Sequence, residues 1–221
     1  MSIGAGELEA SRHPVEVARE LLGWTIVCRG TAAVIVETEA YHQDEPASHS
    51  HGGVPTPRTE HLFGAAGTLY VYFTYGMHWC ANLVTGEPGS GEAVLLRAGM
   101  PVVGEPLMRL RRAARRQADP DAMRAADIAS GPARLVEALG ILPTDNGAQL
   151  LPAEMMSVDA ALARGEAGPV LVRDAQLAAS VGVRLPLDAE DVLVGPRIGI
   201  TKAVDLPWRF GVRGATLSKP F

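Results

Sequence analysis

The sequence is poor in residues that crosslink a chain or insert it into a membrane. It has two cysteines, Cys28 and Cys80, in 221 residues, too few for a disulfide framework or a cysteine-based zinc site. No apolar run approaches the roughly 20 residues that span a bilayer, and Met1 to Gly6 lack the basic and apolar regions of a signal peptide. We therefore expect a cytoplasmic protein with both thiols buried and reduced.

Lysine is scarce among the positive charges. The chain has eighteen arginines and two lysines, Lys202 and Lys219, against 25 acidic residues, and its formal net charge is −5. This balance lacks the overall basic footprint that duplex DNA binding commonly leaves. Five arginines do cluster within residues 109–116 of a predicted helix, where they fit either a solvated helix face or phosphate contacts. The charge alone therefore leaves nucleic-acid binding open.

The apolar periodicity predicts one domain, residues 1–221, of the α+β class. No internal repeat, low-complexity tract or linker divides the chain. The predicted elements are strands at 24–29, 32–40, 68–74, 78–84 and 92–98 and helices at 13–23, 105–116 and 133–139. Residues 42–61 form a polar loop of about twenty residues, and loops of that length are usually functional or mobile.

The second predicted strand carries acidic side chains at its end. Its alternation places Ile35, Glu37, Glu39 and Tyr41 on one face. Two carboxylates and a phenol are costly to bury, so this strand end indicates a functional site. A carboxylate there could have a raised pKa and act as a general base, or it could hydrogen-bond a neighbouring loop. The residues alone do not choose between Glu37 and Glu39.

Histidines in the polar loop raise the alternative of a metal site. His49 and His51 with Glu37 or Glu39 would supply two imidazoles and one carboxylate, a known ligand set. No His-Glu-x-x-His helix or cysteine pair supports this spacing, and most loop histidines are plain polar residues. A metal-dependent hydrolase built on His49, His51 and Glu37 is therefore kept as an alternative, and we expect no metal.

Three of the four tyrosines lie within six residues of one another. Tyr70 and Tyr72 lie in a predicted strand, and Tyr75 precedes Gly76, where a hairpin would turn. Strand tyrosines commonly pack across strands. An exposed aromatic at a hairpin tip can instead wedge between bases, and inward aromatics can stack on an extruded base. The pattern alone allows both interpretations.

Nine short segments, in this order, form a recognisable series. They are Ile35–Tyr41, Ala47–Ser50, Thr56–Arg58, Gly67–Tyr72, Tyr75–Met77, Cys80–Asn82, Val94–Arg97, Ser130–Pro132 and Pro196–Gly199. Together they resemble the alkyladenine type of 3-methyladenine DNA glycosylase, in its bacterial form. The resemblance extends from about Val15 to Val212, and the retained order and spacing argue against a chance match.

The resemblance implies a fold and an activity. The implied fold is a single compact α+β domain with a curved antiparallel β-sheet, flanking helices and a protruding hairpin that enters the DNA minor groove. The implied enzyme is a monofunctional hydrolase that flips a damaged purine out of the duplex, cleaves its N-glycosidic bond and leaves an abasic site. Its implied substrates are alkylated or deaminated purines of the class of 3-methyladenine, 7-methylguanine, hypoxanthine and ethenoadenine.

By motif position, the resemblance assigns catalytic roles to two side chains. Glu39, rather than Glu37, matches the general base that activates water. Arg97 matches the residue that positions this water, with the backbone carbonyl of Ile198 as a further partner. Two more arginines lie in matching motifs, and we expect them to contact the DNA backbone; they are Arg58 and Arg197.

The resemblance also assigns residues to the recognition of the base. Tyr41, His49 and Tyr72 match the side chains that enclose the flipped base. Asn82 matches the pocket residue that would clash with the exocyclic amine of a normal guanine. Tyr75 matches the wedge that fills the gap in the duplex.

We expect a monomer without a cofactor, whose partner is double-stranded DNA containing damaged purines, and no membrane association. Neither Lys202 nor Lys219 lies near the matching motifs, which argues against a Schiff-base mechanism with strand cleavage. The main alternative is a non-catalytic module that binds damaged bases or nucleic acid through the same pocket. Retention of Glu39 and Arg97 argues against it. An RNA-directed version of the chemistry stays open, because a stacking pocket does not read the sugar.

Overall fold

An antiparallel β-sheet forms the framework of the protein. The computed structural model describes residues 8–74, 76–150, 156–165 and 167–221. Within these residues the sheet has eight strands, and every pair of neighbours is antiparallel. The strands are β1 (Thr25–Cys28), β2 (Thr31–Tyr41), β3 (Leu69–Thr74), β4 (His78–Thr85), β5 (Glu92–Val103), β6 (Val170–Val172), β7 (Val192–Gly195) and β8 (Arg209–Val212).

Five α-helices accompany this sheet in the described residues. They are α1 (Pro14–Glu20), α2 (Glu105–Arg116), α3 (Pro132–Leu139), α4 (Val158–Gly165) and α5 (Ala175–Ser180). The longest, α2, has 12 residues, or about 18 Å at 1.5 Å per residue. No helix among the described residues is therefore long and apolar enough to cross a bilayer. The predicted α+β class, with an antiparallel sheet and flanking helices, is confirmed.

The sheet branches at β2. The main strand order is β3-β4-β5-β2-β1-β6, and β8 pairs with both β2 and β7. The first half of β2 pairs with β1, whereas its residues from Glu37 to Glu39 pair with β8 on one side and with β5 on the other. The acidic end of the strand is therefore enclosed by neighbouring strands, and both carboxylate side chains are fully buried.

Two irregularities in the pairing of β2 with β5 lie beside the carboxylates. Between Ile35 and Thr38 the register passes over Val36 on β2 and over Arg97 on β5. An extra residue in one strand bends that strand and redirects its side chains, and such bulges are common next to active sites. Arg97 is thus the unpaired residue of β5 at the level of the two carboxylates.

Strand β5 is five residues longer than the sequence predicts. Gly99 and Pro101 are typical strand breakers, yet both lie inside it. A Cβ atom at Gly99 would lie 3.0 Å from side-chain carbons of Ala33 and Leu135, so the glycine permits close packing of β5 against β2 and α3. Pro101 lies next to a register shift, where proline is tolerated because a ladder hydrogen bond is already missing.

Three arginines of α2 contact α3 within the protein. Arg111 Nη1 donates to the carbonyl of Leu139 at 2.9 Å, which satisfies an open carbonyl at the end of α3. Arg112 is 1% exposed and pairs with Glu137 of α3, and Arg115 donates to the same carboxylate. A solvated helix face and a phosphate-binding cluster are therefore both wrong for Arg111 and Arg112. These side chains hold α2 against α3.

Candidate active site

Glu37 is a buried carboxylate held by four protein donors. Its Oε1 accepts from Arg97 Nε at 3.2 Å, from Arg209 Nε at 2.7 Å and from the Ser218 hydroxyl at 2.7 Å. Its Oε2 accepts from the backbone N–H of Ser218 at 2.6 Å. Three of these four donors share Oε1, and the three partner residues, Arg97, Arg209 and Ser218, all hold Glu37 from outside its own strand.

Glu39 is equally buried but has a different set of partners. Its Oε1 accepts from the backbone N–H of Ile198 at 2.7 Å. Its Oε2 accepts from the Tyr41 hydroxyl at 2.9 Å and from Arg97 Nη1 at 3.1 Å. Three of about four acceptor sites are thus occupied, and one remains. The Ile198 N–H thus holds Glu39, and the role of the Ile198 carbonyl as a partner of the attacking water stays a prediction.

The protonation of Glu39 is set by opposing effects. Burial raises its pKa above the ordinary value of 4.5, and the nearby charge of Arg97 offsets part of that shift. Hydrogen bonds from Ile198 and Tyr41 also favour the ionised form, and the charge of Glu37 opposes it. A carboxylate with a raised pKa is a better proton acceptor than a solvated one, which suits a general base.

A cavity of about 280 Å³ is lined by the partners of Glu39, and the Glu39 side chain itself is buried beneath them. The three residues that contact the Glu39 carboxylate, namely Tyr41, Arg97 and Ile198, all line it. The volume is close to the lower end of the roughly 300–1,000 Å³ usual for small-molecule sites, so the cavity suits a compact ligand. It also brings together three further predicted pocket residues, His49, Tyr72 and Asn82.

Aromatic rings form one wall of the cavity. The His49 ring meets the Tyr72 ring nearly edge-on, with centroids 4.5 Å apart, and Tyr70 stacks on Tyr72 at 5.4 Å. Burial lowers the pKa of His49, and the charge of Arg58 adds to this. Burial also raises the pKa of Tyr70 to about 12 and that of Tyr72 well above its ordinary value. At neutral pH this wall is therefore aromatic and uncharged.

The ring of Tyr41 packs against the guanidinium of Arg197. The Arg197 guanidinium lies 4.6 Å from the centre of the Tyr41 ring and 5.4 Å from that of Trp208. Its two terminal nitrogens donate to the two oxygens of Glu45 at 2.6 and 2.9 Å, and Arg197 is 5% exposed. To reach a DNA phosphate, Arg197 would have to leave Glu45. Nothing in the local sequence indicates this pair, whose members are 152 residues apart.

Asn82 presents an amide of fixed orientation to the cavity. The side chain is 5% exposed, and its Nδ2 donates to the carbonyl of Tyr70 across the β3–β4 pair at 3.0 Å. Because one donor is held by the backbone, the amide cannot turn freely to accommodate a group that enters the cavity. Asn82 is therefore placed to limit which ligands fit.

The turn between β3 and β4 has apolar side chains in contact with solvent. Phe73 is 42% and Met77 is 55% exposed, and Gly76 has a positive φ of 67°. Tyr75, the predicted wedge, lies outside the described residues. Arg58 is exposed and donates from Nη2 to the carbonyl of Phe73 at 2.8 Å, so its charge lies beside this hairpin.

The alternative metal site is not assembled. Among the residues that the structure describes, no group of three His, Cys, Asp or Glu side chains is placed to hold a metal ion. Glu37 already accepts four hydrogen bonds from protein donors, and His51 Nδ1 lies 3.3 Å from the carbonyl of Gln43. The set of His49, His51 and Glu37 therefore does not form one centre.

Lys202 lies at the cavity, contrary to the expectation that neither lysine approaches the site. It is exposed and lines the cavity together with Ile198, Gly199 and Thr201. The segment that follows β7 folds across the cavity, a long-range arrangement that has no local sequence signature. Three partners of the site, Glu45, Arg209 and Ser218, were missed for the same reason.

Comparison with known proteins identifies the family of this chain. The family model for methylpurine-DNA glycosylase (MPG) matches residues 9–216. Relatives with the provisional name 3-methyladenine DNA glycosylase occur in Rhodopseudomonas palustris CGA009 (42% identical, 96% of this chain and 86% of the relative) and Nitrosospira multiformis (40%, 100% and 97%). Another, in Bradyrhizobium diazoefficiens, is 44% identical over 93% of this chain and 86% of its own length. The chain belongs to the methylpurine-DNA glycosylase family.

Proposed function

We propose that the protein removes damaged purines from duplex DNA by hydrolysing the N-glycosidic bond. Glu39 takes a proton from a water that occupies its open acceptor site and is oriented by Arg97. The water oxygen bonds to C1′ of the deoxyribose as the bond to N9 breaks, and the bonding electrons leave with the purine. The products are a free base and an abasic site.

The proposal rests on the different hydrogen-bond partners of the two buried carboxylates, Glu37 and Glu39. Glu37 accepts four hydrogen bonds from protein donors, whereas Glu39 accepts three and is surrounded by residues that line the cavity. A general base must reach the proton that it abstracts. Every partner of Glu39 lines the cavity, whereas Arg209 and Ser218, which hold Glu37, are not among the described lining residues. Its raised pKa adds driving force for proton transfer.

The cavity wall fits a purine extruded from the duplex. We propose that Tyr41, His49 and Tyr72 enclose the base, where each stacked ring contributes about 1–3 kcal/mol. Extrusion costs a few kcal/mol and costs least for a damaged or mispaired base, which provides a first level of selection. The fixed amide of Asn82 provides a second level, because the exocyclic amine of a normal guanine would meet it.

The charge of the leaving base divides the substrates into two kinds. A cationic purine such as 3-methyladenine departs as a neutral molecule and gains from uncharged aromatic rings. A neutral purine such as hypoxanthine or ethenoadenine must gain a proton as it leaves. His49 is a poor source of that proton at neutral pH, because its pKa is lowered. Neutral lesions therefore depend more strongly on activation of the water by Glu39.

We propose that the β3–β4 hairpin enters the minor groove and that Tyr75 fills the space left by the flipped base. The exposed side chains of Phe73 and Met77 on both sides of Tyr75 support this role. Arg58, exposed beside the hairpin, is the better placed of the two candidates for a phosphate contact, and Arg197 instead positions Tyr41. The protein would act as a monomer in the cytoplasm, associated with the nucleoid through DNA.

We propose a monofunctional enzyme that needs no metal or cofactor. The exposed Lys202 at the cavity makes strand cleavage through a Schiff base the specific competing possibility. Borohydride trapping on lesion DNA separates the two, because only a Schiff base gives a covalent adduct. We expect no adduct. An adduct that forms with the parent protein and disappears in Lys202→Ala would establish a lyase.

The test is single-turnover base release in the presence of a chelator. The substrates are duplexes with one hypoxanthine or ethenoadenine, together with methylated DNA. RNA strands of matched sequence are assayed separately to test the RNA-directed alternative. We expect free base and abasic sites that break only after alkali treatment. Lesion-selective binding without release would establish the non-catalytic module, and activity lost to the chelator would establish a metal-dependent hydrolase.

A further inference from the structure

Residues 217–221 contact Glu37, Arg97 and Arg209 without lining the cavity. Within this segment, Ser218 is half-buried and contacts Glu37 twice, through its backbone N–H at 2.6 Å and its hydroxyl at 2.7 Å. The same hydroxyl accepts from Arg97 Nη2 at 3.1 Å. Ser218 is not among the described residues that line the cavity. It therefore reaches the site only through Arg97 and Glu37.

The 217–221 segment is held in place by Arg209 of β8. Arg209 donates from Nη1 to the carbonyl of Pro220 at 3.1 Å and from Nη2 to that of Lys219 at 2.5 Å. Its guanidinium also lies 3.9 Å from the centre of the Phe221 ring. A Cβ atom at Gly211 would lie 2.7 Å from that ring, so the glycine leaves room for it. The same Arg209 donates from Nε to Glu37.

Arg97 is therefore fixed at all three of its guanidinium nitrogens. Nε binds Glu37, Nη1 binds Glu39 and Nη2 binds Ser218. A guanidinium is planar, with its donors in a rigid fork, so a contact at one nitrogen constrains the direction of the other two. Without the Ser218 hydroxyl, only the two carboxylate contacts would orient this group.

We propose that the 217–221 segment is a positioning element of the hydrolytic centre, in which Ser218 holds the guanidinium of Arg97 in line with Glu39 and the attacking water. The proposal rests on the function proposed above. Ser218 is a positioning residue, since it touches neither the cavity nor the base.

The first test compares Ser218→Ala with Ser218→Thr in single-turnover release of ethenoadenine from a duplex. Ser218→Ala removes the hydroxyl that bridges Arg97 and Glu37, whereas Ser218→Thr keeps it. We expect Ser218→Ala to release base about tenfold more slowly, the low end for loss of an outer partner of a catalytic group, with unchanged affinity for the lesion duplex. Ser218→Thr should recover most of the rate. Ser180→Ala, which alters an exposed serine bonded within its own helix, is the matched control.

The second test is the pH dependence of the same reaction, which a merely structural role would leave unmoved. The charged or titratable groups that act on Glu39 are Arg97 from β5, Glu37 and Tyr41 from β2, Tyr72 from β3 and Cys80 from β4. Of these, Arg97 most strongly favours the ionised carboxylate. If the Arg97 guanidinium moves away from Glu39 in Ser218→Ala, the pKa of Glu39 rises further. The acid limb of the pH–rate profile should then move to higher pH.

The outcomes separate this proposal from the one on which it rests. A parent protein that releases no base overturns both. If the parent releases base and Ser218→Ala matches it in rate and pH profile, only the positioning role is overturned. A slower rate in Ser218→Ala without a shift of the acid limb overturns that role as well. If Ser218→Ala does not fold, Phe221→Ala decides, because it removes a ring that is 41% exposed and only anchors the segment. That variant should show the same two changes at smaller size.

Discussion

Replacing Glu37 by Gln should destabilise the fold far more than the same change at Glu39. The two carboxylates and the guanidiniums of Arg97 and Arg209 form a buried group with two negative and two positive charges. Either change to Gln removes one of the negative charges, but Glu37 contacts both guanidiniums, whereas Glu39 contacts only that of Arg97. The amide NH₂ group of Gln would face donors at either position, but Glu37 has four of them and Glu39 has three.

These contacts determine how much stability each variant should lose. Removing one partner of a buried ion pair costs about 3–5 kcal/mol because the remaining charge is uncompensated. That is a large part of the roughly 5–15 kcal/mol that stabilises a typical domain. Glu39→Gln differs because burial has already raised the pKa of Glu39. A carboxyl with a pKa above its unfolded value loses stability on ionisation, so at neutral pH the neutral amide should be tolerated with little loss.

The assay is urea denaturation of both variants and the parent at pH 7.5. We expect the free energy of unfolding to fall by about 3 kcal/mol or more in Glu37→Gln and by less than about 1 kcal/mol in Glu39→Gln. The two changes are chemically identical and two residues apart on one strand, so each serves as the control for the other. Equal losses in the two variants, or a larger loss in Glu39→Gln, would refute the assignment of Glu37 as the structural carboxylate.

Three further predictions concern the reaction itself. The rate of base release should fall as the pH drops through the raised pKa of Glu39, with its acid midpoint above 4.5; a midpoint below that value in a pH–rate profile contradicts the account. Tyr72→Ala should weaken binding to a lesion duplex by about 1–3 kcal/mol, the contribution of one stacked ring, and unchanged affinity in a titration would exclude Tyr72 from the pocket wall. Asn82→Ala should increase the release of undamaged guanine relative to that of ethenoadenine, and an unchanged ratio in product analysis would remove Asn82 from selection.

Much of the fold could be predicted from the sequence because the local signals agree with the final structure. Helix α2 begins and ends at the predicted residues, and β3 and β4 differ from their predictions by one residue at one end each. The extension of β5 was missed because Gly99 and Pro101 act locally as strand breakers. Only the tertiary partners Ala33 and Leu135 explain why a strand continues there.

The residue types of the candidate site were predictable from the sequence, but the contacts between these residues were not. Alternation along β2 indicated two carboxylates and a phenol at one strand end, yet gave no reason to prefer Glu39 over Glu37. The preference follows from contacts across the chain, such as that of Ser218 with Glu37, whose residues are 181 positions apart. The position of Lys202 at the cavity likewise depends on how a distant segment folds back.

The most direct test of the central claim measures binding and base release on one substrate. The parent and Glu39→Gln are each titrated with a duplex that contains a single ethenoadenine, and release is followed under single-turnover conditions at pH 7.5. The account predicts equal affinity and a rate at least about a hundredfold lower in the variant, the low end for loss of a general base. Release by Glu39→Gln at the parental rate would contradict the account.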